Sequence, residues 1–98
     1  MIPGWLDTRV VVAFADETSA DIAKLIPVGL HGDNPKKIAK RKDALQRLVM
    51  NAKAFSTTNK LNFYKRAKFA NTLQWKLKDA GYPPDFVRDV VEMVVFNL

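Results

Sequence analysis

A basic stretch with helical periodicity, from Asn34 to Gly81, constrains this chain more than any other feature; it holds 13 of the 16 Lys and Arg residues. Asn34 and Pro35 pair a capping side chain with a residue whose ring suits the first helical turn. Gly81 supplies the left-handed residue that closes a helix. Between these marks, apolar residues recur at helical spacing in two blocks joined by Ser56-Thr57-Thr58-Asn59. The pattern predicts helices over 35–55 and 59–80, forming a basic helical hairpin that the rest of the chain braces.

In the first block Ile38, Leu45, Leu48, Val49, Ala52 and Phe55 make a core-facing stripe. Lys36, Lys40 and Arg47 lie opposite, and Lys37 and Arg41 flank it, their stems able to cover apolar surface while their heads reach water. The run Lys36 to Lys42 is dense enough to meet a polyanion. In the second block Phe63, Ala67, Ala70, Leu73 and Leu77 are expected to be the main buried face, with Thr58 or Asn59 as the cap. A second stripe, Tyr64-Lys68-Asn71-Trp75-Lys78, shares one side of the same helix. Aromatic rings interleaved with Lys suit nucleic acid, rings stacking on bases and charges meeting phosphate. The same rings could instead pack under the N-terminal segment or the last helix, with their polar tips at the rim.

Charge is partitioned along the chain. Residues 1–34 carry two bases against five acids, residues 35–80 thirteen against two, and residues 81–98 one against three, for a net +6 overall. A basic segment of this kind draws nucleic acid, anionic lipid or an acidic protein. At 98 residues, with 48% hydrophobic and 27% charged residues, the composition is that of one small globular domain. The absence of Cys rules out disulfides, thiolate chemistry and Cys-bound metal. The apolar runs are far shorter than a bilayer span and the N-terminus lacks a signal-peptide pattern, so a cytoplasmic protein is expected.

The flanking segments carry the remaining elements. Three consecutive Val residues and Phe14 favour a strand over 7–15, because β-branched side chains lose rotamer freedom in a helix. A lone strand leaves its backbone groups unpaired, which points to pairing across a homodimer through Val10, Val12 and Phe14. A short helix is expected over 17–26, with Thr18 and Asp21 as a capping box and Pro27 as its stop. Asp16, Glu17 and Asp21 are expected to complement the dipole of that helix. Tyr82-Pro83-Pro84 makes a hard turn before a final helix over 85–97 with little polar surface. Its apolar residues Val87, Val91 and Val95 form a candidate protein interface. A C-terminal strand is the alternative there, since Val94-Val95-Phe96 is rich in strand-forming residues.

Trp5 is expected to tether the N-terminus. His31, the only histidine, sits in a Gly-bounded loop, and neither Ser19 nor Ser56 belongs to a nucleophile motif that would engage it. No P-loop, dinucleotide motif or metal-ligand spacing is present. The fold expected is mainly α: a short helix, two long basic helices and an apolar C-terminal helix, with one N-terminal β-strand paired across a dimer. A strand before basic helices is similar to ribbon-helix-helix repressors over Thr8 to about Phe55. The residues such a ribbon would offer to bases are here Val and Ala, with Thr8 and Arg9 the polar exceptions, and no family is identified. The expected function is non-enzymatic nucleic-acid binding with low sequence specificity, without cofactor or metal, to DNA or RNA. The alternative is a protein-interaction module or homodimeric adaptor with a solvated basic surface.

Overall fold

The first element of the structure is a 17-residue helix, where the sequence favoured a strand over 7–15 followed by a short helix over 17–26. In a computed structural model that describes residues 7–27 and 35–98, with side chains from 7–27 and 40–98, four helices follow one another: α1 (Arg9–Leu25), α2 (Pro35–Thr58), α3 (Phe63–Asp79) and α4 (Pro84–Phe96). There is no strand among the described residues. Expectations for Trp5, His31 and the Asn34 cap fall outside them.

Packing overrides the strand preference of the Val run. Val11, Ala15, Thr18 and Ile22 are buried at i, i+4, i+7 and i+11, the period of one helix face. That period extends across the expected strand and the expected short helix, and so fuses them. A helix also satisfies its own backbone groups, whereas an unpaired strand cannot. The ribbon and the strand-paired dimer therefore lose their structural basis. Thr18 is not a capping residue; its hydroxyl is buried in mid-helix and donates to the Phe14 carbonyl at 2.8 Å. The N-terminal turn is secured from outside the helix instead, where Asp7 Oδ1 accepts the Arg9 backbone N–H at 3.1 Å.

α2 runs three residues beyond its expected end. Ser56 and Thr57 hydroxyls donate to the Lys53 carbonyl and Thr58 donates to Ala54, so the polar stretch satisfies carbonyls within the helix instead of ending it. The cap of α3 is correspondingly later than Thr58 or Asn59: Asn62 accepts the Lys65 N–H at 2.8 Å. At its far end Gly81 takes φ 98°. Its N–H bonds the Lys78 carbonyl and the Tyr82 N–H bonds Leu77, the paired closure of a Schellman motif. α4 is helical as expected, with Pro84 in its first turn.

The helices close a ring in which α1 packs on α2 and α3, and α4 packs on the same two. α2 and α3, though consecutive, do not pack on each other. The expected basic hairpin is thus opened by the insertion of α1 and α4 between its arms. Phe14 of α1 stacks on Phe55 of α2 at 4.1 Å between ring centroids, and on Phe69 of α3 at 5.4 Å. Leu48, Ala52, Leu73, Leu77, Val87, Val90 and Val94 complete the core around them. Tyr82 joins the α3–α4 turn to the end of α1: its buried hydroxyl donates to the Ile26 carbonyl at 2.6 Å, with Ile22 at 3.3 Å as a second, longer acceptor. No described helix is long and apolar enough to cross a membrane.

Two substitutions check this packing. Phe69→Ala removes the fully buried ring under Phe14 and is expected to cost about 3–5 kcal/mol, a large part of the stability of a domain this size, read by urea denaturation. Tyr82→Phe strips the hydroxyl from the α1 carbonyls and should cost about 1 kcal/mol. Burial raises the Tyr82 pKa above its ordinary 10.0, so its phenol contributes stability below that pH and loses it as pH rises through the folded value. Above pH 10.0 the gap between the native protein and Tyr82→Phe should therefore narrow.

Candidate nucleic-acid interface

Which face of α3 turns inward decides where its charged and aromatic side chains can act. Phe69, Leu73 and Leu77 are the buried residues, spaced four apart. Of the expected face, Leu73 and Leu77 are buried and Ala70 packs partly against the core, while Ala67 is exposed and Phe63 is 87% exposed, so the N-terminal half of the face is turned toward Phe69 instead. Phe69 carried the missing signal, since only a face that includes it aligns three large side chains at i, i+4 and i+8.

With that face inward, the opposite side of α3 is solvent-facing along its length. Tyr64, Lys68, Asn71, Trp75 and Lys78 are all exposed, Tyr64 at 48% and Trp75 at 60%. The Lys78 ammonium lies 5.7 Å from the Trp75 ring centroid, within cation–π range. The rings are therefore surface groups, not the rim of the core. Lys65 is half-buried beside them, near Asp7. Lys76 turns toward α1 and pairs with Asp16, an ion pair that was not anticipated. Arg66, also on α3, reaches the Leu98 carbonyl at 3.3 Å and ties the end of the chain to this helix.

The basic residues of α2 are placed apart from this ridge. Lys40 and Arg47, seven residues apart, share an exposed side of α2, and Arg41 is half-buried. Lys36 and Lys37 begin the helix, and their side chains lie outside the described residues. Because α2 and α3 do not pack together, the ten residues expected to form one nucleic-acid surface divide between two helices. Only the α3 group combines rings with charge.

The expected protein-interface residues are largely used inside the domain. Val87 and Val91 are buried and Val95 is half-buried, so the apolar side of α4 is covered by its own neighbours. Phe14 lies in the aromatic stack, Val12 is half-buried and Val10 is exposed. A separate apolar groove, about 390 Å³ in volume, opens between α2 and α4, lined by Leu45, Val49, Met50 and Met93.

Among the described residues no group of three His, Cys, Asp or Glu side chains could hold a metal ion. Among the described residues, Asp7 is the acid with a marked shift. Arg9 donates to it from Nε at 3.0 Å, from Nη2 at 2.7 Å and from the backbone, and these bonds hold its pKa at about 2 against an ordinary 3.8. The interaction fastens the start of α1, at the edge of a pocket of about 520 Å³ that Asp7 and Arg9 line with Phe14, Glu17 and Phe55.

No protein-family model, curated protein or solved structure matches this chain.

The Asp7–Arg9 bond predicts a titration. A depressed carboxyl pKa contributes stability above 3.8 and loses it as pH falls through about 2. An NMR titration of the Asp7 carboxyl carbon should find its midpoint near 2, and Arg9→Ala should return it toward 3.8.

Proposed function

We propose that this is a non-enzymatic nucleic-acid-binding accessory protein of low sequence specificity, whose contact surface is the exposed ridge of α3. One observation carries the reading: Tyr64 and Trp75 stand in solvent on the same helix face as Lys68 and Lys78. Leaving a Trp ring largely in water forfeits burial that this small domain could have used. Interleaved with ammonium groups, the rings offer stacking surfaces beside phosphate-binding charge. Lys65, Lys68 and Lys78 meet phosphates, which positions a strand without reading its sequence. Lys40, Arg41 and Arg47 on α2 add to the field that draws a polyanion toward the molecule.

The second reading, a homodimer or an adaptor for an acidic protein, is favoured by the α2–α4 groove, where Met50 is 69% exposed beside Leu45 and Val49. Thioether side chains adapt to varied apolar partners, and Lys42 at the rim suits an acidic one.

Fluorescence anisotropy with mixed-sequence oligonucleotides separates the two. With about three phosphate contacts, affinity should fall roughly twentyfold between 50 and 200 mM salt. Lys68→Ala/Lys78→Ala should weaken binding and flatten that dependence. No binding at low salt, or binding indifferent to the double substitution, rejects the α3 ridge and leaves the groove reading.

A further inference from the structure

We propose that the α3 ridge takes an unpaired strand of DNA or RNA and disfavours duplex, an inference that rests on the nucleic-acid reading above. Three features of the surface lead there.

The first is the rings. Tyr64 and Trp75 are exposed on one side of α3. A ring so placed gains by stacking on a base face, and in a duplex those faces are already covered by neighbouring bases. The two rings are eleven residues apart, about 16 Å along the helix axis. At a stacked rise of about 3.4 Å per nucleotide, roughly five nucleotides bridge them.

The second is the ground on either side of the ridge. On the α4 side, the groove beside Gln74 and Lys78 is lined by Asp85 and Glu92, with Arg88 between them. Arg88 lies against Asp85 and Asp89, so its charge is already engaged and the exposed surface of α4 remains net acidic. On the α1 side, Asp16 pairs with Lys76, so that flank carries no uncompensated base there.

The third is width. The ridge follows a single helix, about 10 Å across, with Asp85 and Glu92 on its α4 side, the Lys76–Asp16 pair on its α1 side and the exposed Asp79 at its end. A helix seated in the major groove of a duplex has phosphate backbone on both sides. Here the α4 flank would meet one of those backbones with Asp85 and Glu92, which repel it, and the α1 flank offers the neutral Lys76–Asp16 pair in place of a free base. A single strand laid lengthwise along α3 meets Lys68 and Lys78 while staying clear of Asp85 and Glu92.

The test compares a labelled 12-nucleotide strand with the same strand in a 12-base-pair duplex at low salt. The single strand should bind at least about tenfold more tightly. Trp75→Ala, at an exposed position, should weaken single-strand binding about tenfold and leave duplex binding unchanged, while Trp75→Phe retains most of the affinity. Asp85→Lys/Glu92→Lys should raise duplex binding and narrow the preference. Circular dichroism confirms that each variant stays helical. Shortening the strand below about five nucleotides should remove the contribution of one ring. Equal or tighter duplex binding overturns the single-strand inference alone. Failure to bind either form overturns both this inference and the nucleic-acid reading beneath it.

Discussion

The Phe14 ring lies between Phe55 and Phe69, at 4.1 and 5.4 Å, and the arrangement of the helices depends on it. Three helices meet at this one side chain. Phe14 reaches that position only if residues 9–25 are helical, because the same periodicity turns Val11, Ala15, Thr18 and Ile22 into the core. Once α1 stands there, α2 and α3 are kept from packing on each other, and α4 closes the far side with Val87, Val90 and Val94. The inward commitment of Phe69, Leu73 and Leu77 then leaves Tyr64, Lys68, Trp75 and Lys78 in water. The surface that we propose to be functional is thus a consequence of the core.

The second layer of organisation is electrostatic. Bases concentrate in α2 and α3, while α1 and α4 carry most of the acids. Since each basic helix packs between the two acidic ones, the fold converts a charge partition along the sequence into alternating basic and acidic ridges around the bundle. The exposed Lys76–Asp16 pair, which joins α3 to α1, contributes little to stability. Its larger effect is on charge: it neutralises a base on the flank of α3.

Much of this was legible in the sequence, and the failures have identifiable causes. The three C-terminal helices could be read from periodicity and from the stop at Gly81, whose φ of 98° the structure shows. The stripe from Tyr64 to Lys78 was legible as a shared face, but whether it faced core or solvent was not. That depended on Phe69, whose partner Phe14 lies 55 positions earlier, and no local window links the two. The N-terminal strand was misread because intrinsic preference was weighed over too short a window. Three Val residues favour a strand locally, yet the burial period runs on through Ile22 and decides for helix. The expected hairpin failed for a related reason: adjacency in sequence suggested adjacency in space, and tertiary packing placed other helices between. The expected α4 interface was real apolar surface whose partner proved to be the domain's own core, at Val87 and Val91.

The central claim is that α3 alone, and not the basic segment as a whole, contacts nucleic acid. Amide and side-chain NMR shifts, followed while a short single-stranded oligonucleotide is titrated into the protein, address it most directly. The account predicts that the largest changes cluster at Tyr64, Lys68, Asn71, Trp75 and Lys78, including the Trp75 indole N–H, with Lys40 and Arg47 on α2 little affected. Changes centred on α2, or spread evenly over every basic residue, would contradict it.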